Sequence, residues 1–187
     1  MTSRPLEMDE YRAIINLLTN GFALVDSRVF RPNRQAALAL QLEASLGLRI
    51  GDVLALRVSN FKNGKLETRE RKTGKLQYRD IHRGVYDAIK DYAIENLLGA
   101  NDRLFDIGVR AVQQQLKKAV DYLGLTNIST HSFRKMYATA VYEDSGYNLE
   151  LIKELLNHTS IATTQRYIRV MQQTINAASA GVNYIVC

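Results

Sequence analysis

Residues 129–141 read STHSFRKMYATAV, from Ser129 to Val141. Phe133, Met136, Tyr137, Ala140 and Val141 recur at helical spacing, so the stretch predicts a helix with one apolar face turned to a core. His131 and Arg134 stand three apart on another face, where a helix sets them side by side. The stretch therefore describes a helix that is anchored by one face and carries a cation and an imidazole on another.

The same period extends outward. Toward the C-terminus it predicts helices over 149–157 and 163–168, and a last one over 172–180. Toward the N-terminus it predicts helices over 109–123 and 85–98. Between 65 and 82 the period changes to two: KLETRERK, a Thr73-Gly74 turn, then KLQYRDIH, a hairpin with polar outer positions. Asn63-Gly64 adds a tight turn before it and hence a third strand. Further upstream, Tyr11, Ile14, Ile15 and Leu18 line one side of a helix over 6–19 that Asn20-Gly21 closes. Pro32 opens a second helix carrying Leu38, Leu42 and Leu46 and ending at Gly47, and a short helix is expected over 52–57. The expected fold is mainly α with a small antiparallel β-sheet (α+β), the sheet being three-stranded and near 58–82.

A chain of 187 residues that is 46% hydrophobic, with two prolines and eleven glycines, fits one folded domain rather than a disordered segment. The single cysteine, Cys187, excludes an internal disulfide and a thiolate metal cluster. No apolar run reaches the length of a membrane span, and MTSRPLEMDEY carries no signal-peptide apolar region, so a cytoplasmic protein is expected. Net charge is +6 with a pI near 9.5. Between Lys62 and Arg83 eight Lys and Arg stand against three acids. That concentration is the footprint of a phosphate-rich partner, or of a solvated basic hairpin.

The polar residues that punctuate these elements are Arg49 in GLRIGDVLAL, Lys72 in RKTGK, His131 and Arg134 in HSFR, His158 in LLNH and Tyr167 in TTQRYIRV. Singly each has a bland reading: a surface charge at a helix start, a solvated turn, a core-edge tyrosine. Together they match one chemistry. Two arginines offer planar forks to the oxygens of a phosphate. Two histidines exchange protons near neutrality. A lysine on a hairpin tip can protonate a leaving oxygen, and a tyrosine hydroxyl can attack phosphorus. Scattered carboxylates and histidines without ligand spacing point to no metal, so the set describes phosphoryl transfer with arginine supplying the electrostatics and no cofactor.

Four segments, GLRIGDVLALRVSNF, KTGK, HSFRKMYATAV and ELLNHTSIATTQRYIRV, resemble in order and separation the signature segments of the tyrosine recombinase (phage integrase) catalytic domain, over about residues 6–170. The resemblance implies that fold, with 1–170 as catalytic domain and 171–187 as a C-terminal tail that is exchanged between protomers or packs on its own domain. It implies that Arg49 and Arg134 clamp the scissile phosphate. Tyr167 forms a 3′-phosphotyrosyl bond and releases a 5′-hydroxyl, and Lys72 protonates that oxygen. His131 handles the tyrosine proton, and His158 bonds a non-bridging oxygen. Asp52 matches a carboxylate that orients the surroundings of the first arginine. Arg71, Thr73, Lys75 and Lys135 are expected to contact DNA. Asn157 stands where the family usually has glycine, and it tolerates the left-handed backbone that favours glycine there.

The partners implied are double-stranded DNA and further copies of the chain on it. The free chain is expected to be a monomer and the synapse a tetramer, with no membrane. The family's N-terminal core-binding domain is expected to be absent from this chain, as in a piece of a longer protein or a minimal recombinase. Three other readings stay open: a type IB topoisomerase, a non-catalytic DNA-binding module of the same fold, and a basic RNA-binding domain. The last lacks aromatic base-stacking motifs, and a pure binder has no need of Tyr167.

Overall fold

The computed structural model describes residues 3–23, 29–158, 160, 162 and 164. Helix α1 (Met8–Asn20) starts two residues later than its period predicts because Glu7 is its cap. The Glu7 amide donates to Glu10 Oε2 at 3.0 Å, and Arg4 pairs with the same carboxylate at 2.5 Å. A short pair of strands follows that the sequence reading does not contain, β1 (Phe22–Ala23) and β2 (Val29–Phe30), with Phe22 and Phe30 stacked at 4.5 Å. Asn33 rather than Pro32 caps α2 (Arg34–Leu46), accepting from the Ala36 amide at 2.9 Å, and Gly47 closes it in the left-handed conformation.

The short helix expected over 52–57 lies earlier, as α3 (Ile50–Val53) with Arg49 at its cap. It stops there because Leu54 and Leu56 both turn into the core, and Arg57 pairs in extended backbone with Arg103. After a single 3₁₀ turn (Val58–Asn60) comes the expected sheet, β3 (Phe61–Lys62), β4 (Lys65–Arg69) and β5 (Leu76–Asp80), antiparallel in the order β3-β4-β5. Asn63 (φ 51°) and Gly64 (φ 73°) make the tight turn, both left-handed as such a turn requires.

Two features of the hairpin differ from the sequence reading. The ladder ends at Arg69↔Leu76, so the expected tight turn at Thr73-Gly74 is a longer tip over 70–75. The faces of β5 are also inverted. Leu76 and Tyr78 are exposed, whereas Gln77 is buried and Arg79 points inward beside it. Register decides this: Arg79 lies opposite the fully buried Leu66, and Gln77 opposite Thr68.

The remaining elements among the described residues are helices: α4 (Arg83–Glu95), α5 (Val109–Tyr122), α6 (Thr130–Asp144) and α7 (Leu149–Leu155). The main core is shared by α1, α2, α5, α6 and the sheet, and α6 lies chiefly along α2. A smaller cluster of Ala138, Ile152 and Leu156, with Tyr137, Val141 and Tyr142 against it, joins α6 to α7. Helix α6 is the expected one, but it is sunk deeper than one apolar stripe predicts. Phe133 is buried as expected, Ala140 is exposed, and Arg134 and Lys135 are buried. With α2 on one side and α7 on another, the helix has two covered faces. Apart from Thr164, the helix expected over 163–168 lies outside the described residues, and so do Tyr167 and the tail 171–187. No helix among the described residues is long and apolar enough to cross a membrane.

Candidate active site

Arg134 is the largest fully buried side chain of the described structure. A buried guanidinium needs partners for its donors, and two helix ends accept from two of them. Nη1 donates to the Gly47 carbonyl at 2.7 Å and Nη2 to the Leu156 carbonyl at 2.8 Å. These carbonyls close α2 and α7, whose C-terminal dipole ends favour a cation. Gly47 has φ 59°, and a Cβ there would lie 2.3 Å from the Tyr137 ring, so both backbone and space demand glycine.

Arg49 follows two residues later. Its Nη1 pairs with Glu70 Oε2 at 2.6 Å and lies 3.9 Å from Asp52 Oδ2. Asp52 is buried and accepts the Arg71 amide at 2.8 Å, so it ties the start of α3 to the hairpin tip. Glu70 is buried under the tip and also accepts from Thr73 Oγ1 at 2.9 Å and Gln77 Nε2 at 3.3 Å. Burial alone would raise its carboxyl. The hydrogen bonds from Arg49 and Thr73, with the Arg49 and Arg134 charges, outweigh that and hold it below the ordinary value.

His158 is placed by the way α7 ends. Asn157 is left-handed (φ 52°), its amide donates to the Glu154 carbonyl at 3.0 Å, and the His158 amide donates to Lys153 at 2.9 Å. This is a Schellman closure, with asparagine in the usual glycine role. The His158 ring is buried, with Nδ1 3.1 Å from Thr164 Oγ1. Burial, then the charges of Arg134 and Arg49, lower its pKa to about 4. His131, on the first turn of α6, keeps contact with solvent; partial burial and the charges of Arg134, Arg49, Lys135 and Lys72 push it down as well. Both imidazoles are thus neutral at neutral pH.

The structure therefore brings Arg49, Arg134, His131, His158 and the tip bearing Lys72 into one electrostatic neighbourhood. Arg71, Lys72, Thr73 and Lys75 are exposed along the tip. Lys135 is different: it is buried, and its Nζ donates to the Ser3 carbonyl, while its charge is felt at His131. Tyr167 lies outside the described residues. Sequence reasoning missed Glu70, and also Glu43, a fully buried acid on α2. Burial pushes the Glu43 carboxyl well above the ordinary range, against the opposing pull of Arg134 and the Ile50 amide. Glu70 had a signal: it continues the inward parity of Leu66 and Thr68 on β4. Glu43 had none beyond its place among buried α2 residues. Among the described residues no group of three His, Cys, Asp or Glu could hold a metal ion.

Comparison with known proteins gives a consistent result. The profile of the Phage integrase family matches residues 5–174. The chain is 28% identical over 155 residues to tyrosine recombinase XerC of Roseiflexus castenholzii, covering 75% of this chain and 49% of that protein. It is 31% identical over 137 residues to the probable integrase/recombinase YoeC of Bacillus subtilis, covering 70% of this chain and 75% of that protein. The chain thus spans about half the length of XerC-type relatives and three quarters of YoeC. Among solved structures, the XerA recombinase superposes with a TM-score of 0.75 at 19% identity over 98% of this chain and 67% of its own. The XerH site-specific recombinase, in a post-cleavage complex with a palindromic difH substrate, superposes at 0.74 and 19% over 95% of this chain and 52% of its own.

Proposed function

The chain belongs to the Phage integrase family, and from that premise we propose that it is a site-specific recombinase that breaks and rejoins double-stranded DNA. The observation that carries this reading is the convergence of two arginines, two neutral histidines and a lysine-bearing tip from four separate stretches of chain. A DNA-binding module needs cations at its surface; it has no use for an arginine sunk between two helix ends and two imidazoles kept uncharged.

In this reading Arg134 and Arg49 hold the non-bridging oxygens of the scissile phosphate and stabilise the charge of the pentacoordinate transition state. The Tyr167 oxygen attacks phosphorus as its proton passes to neutral His131, and the bond to the 5′-oxygen breaks. Lys72 donates a proton to that oxygen, leaving a 3′-phosphotyrosine and a free 5′-hydroxyl. His158, with Nδ1 facing Thr164, presents its other ring nitrogen to a non-bridging oxygen. Attack by a 5′-hydroxyl from the partner duplex reverses the steps and completes strand exchange. Asp52 and Glu70 aim Arg49, and Arg71, Thr73 and Lys75 follow the DNA backbone. The chain acts as an oligomer on DNA, a tetramer in the synapse, joined through the apolar and uncharged segment 171–187. Residues 1–170 are the catalytic unit.

The test is trapping. A nicked duplex bearing the site, selected from a random-sequence pool, is expected to capture a covalent adduct through Tyr167. Tyr167→Phe is expected to bind that DNA and form no adduct, since only the attacking oxygen is lost. An adduct of wild-type yield with the Phe protein would overturn the assignment.

A further inference from the structure

A second arginine joins the same two helix ends as Arg134 and is used by no step above. Arg79 projects from the inner face of β5 and donates to the Leu46 carbonyl and, at 3.2 Å, to the Leu155 carbonyl. Arg134 donates to Gly47 and Leu156, the next residue along in each case. Two guanidinia therefore bridge the same two helix ends, on consecutive carbonyls. Arg79 also lies 5.7 Å from the centre of the Tyr137 ring, the ring that fixes Gly47. Gln77, its neighbour on the same face, donates to Leu155 as well and to Glu70, the partner of Arg49. Strand β5 thus reaches both arginines of the proposed clamp without itself contributing a clamp residue.

We propose that Arg79 is a positioning residue for strand cleavage: by bridging Leu46 and Leu155 it sets the separation of the two helix ends that aim Arg134 and, through Asn157, His158. The proposal rests on the reading of Arg134 as a phosphate clamp. The geometry needs an arginine. A planar fork spans two carbonyls at fixed directions, whereas a lysine in its place keeps the charge and the attraction to both dipole ends but releases the spacing. An inward-facing arginine on a strand that leaves Leu76 and Tyr78 exposed is costly for folding alone, because burial lowers its pKa and desolvates a charge. Aiming the clamp gives that cost a function.

The experiment compares Arg79→Lys and Arg79→Met with the wild-type chain in four measurements. These are the melting temperature, affinity for the selected duplex, single-turnover adduct formation at saturating DNA, and the same rate on a substrate whose scissile phosphate carries a methyl group in place of one non-bridging oxygen. Both variants are expected to bind within about twofold of wild type and to cleave roughly 10- to 100-fold more slowly, a loss confined to the transition state. On the methylated, uncharged phosphate the defect is expected to shrink below about threefold, because a misaimed guanidinium matters less where less charge develops. A DNA-free readout separates this idea from the recombinase reading. In ¹⁵N spectra the Arg134 guanidinium, pinned by two carbonyls, is expected to shift and rotate faster in both variants. If the wild-type chain traps no adduct the recombinase reading fails, and the spectra alone decide whether Arg79 aims Arg134. Unchanged Arg134 signals, unchanged cleavage, or equal slowing on both substrates would each overturn the proposal. Loss of the folded state in both variants would do so too, since Arg79 would then serve the fold and not the aim.

Discussion

Gly47→Ala tests the structural argument at one atom. Its backbone is left-handed (φ 59°, ψ 19°), where an added Cβ costs about 1–2 kcal/mol. That Cβ would stand 2.3 and 2.5 Å from two carbons of the Tyr137 ring. The ring is held by Arg79 on one side and by the cluster between α6 and α7 on another, so it yields little. Forcing a methyl into such packing costs about 1–3 kcal/mol more. The total, roughly 3 kcal/mol, corresponds to a melting temperature lowered by about 6–12 °C in a domain of this size. The function should suffer beyond the stability, because the Gly47 carbonyl holds Arg134 and misplacement of a catalytic group by a fraction of an ångström slows chemistry by roughly tenfold or more. The assay pairs thermal melting with the trapping rate measured well below the melting range. Adding Tyr137→Leu removes the obstacle and leaves the backbone strain, so the double variant should be less destabilised than the sum of the singles by about 1–2 kcal/mol. A Gly47→Ala protein that melts within about a degree of wild type, or strict additivity in the cycle, would refute the reasoning.

Two other predictions concern proton transfers. Lys72→Ala should cleave ordinary DNA slowly and recover almost fully on a duplex with sulfur at the 5′-bridging position, since sulfur leaves without a proton; equal defects on both substrates would reduce Lys72 to a phosphate contact. His158 has a folded pKa of about 4 against an ordinary 6.5, so between those values the unfolded chain binds the proton first. Stability should therefore be level above about pH 7 and fall as pH drops from 6.5 to 4, by at most about 3 kcal/mol and nearer 2 after screening by solvent. Urea melts of His158→Gln across that range should lack this part of the slope, and an unaltered slope would show that the ring is not the group responsible.

Much of this was legible in the residues, and what was not has physical causes. Periodicity found α1, α2, the sheet and α4 to α7, because each carries enough apolar residues at its period to outweigh local noise. It placed α3 too late: four residues are too few to show a period, and the leucines at 54 and 56 fit a turn as well as a helix. It also gave β5 the wrong faces. Leu76 and Tyr78 alternate with Gln77 and Arg79, and hydrophobicity alone turns the first pair inward. The second pair is inward because two helix ends beneath the sheet offer carbonyls that need donors, and no property of the strand itself reports that demand. The same limit hid the burial of Arg134. Its spacing from His131 marked it as a polar neighbour, but the carbonyls of Gly47 and Leu156 that let it sink come from segments 87 and 22 residues away.

Glu70 shows how such long-range pairing organises the site. A buried carboxylate among cations proposed to bind a phosphate looks self-defeating, since it would compete with that anion. Its partners explain it: Arg49, Thr73 and Gln77 all donate to it, which offsets the desolvation that an isolated buried charge would suffer. Through them it joins three parts of the proposed mechanism. Arg49 is one of the two arginines proposed to clamp the phosphate. Thr73 belongs to the tip that carries Lys72, and its hydroxyl in turn accepts the Lys75 amide at 3.3 Å. Gln77 leads to the Leu155 carbonyl, and so to the helix end that aims Arg134 and His158. One carboxylate thus ties the hairpin tip to both arginines. In the proposed mechanism a tip so tethered fixes where Lys72 begins relative to the scissile phosphate, and a general acid on a flexible stem needs that fixed origin to reach one oxygen among several.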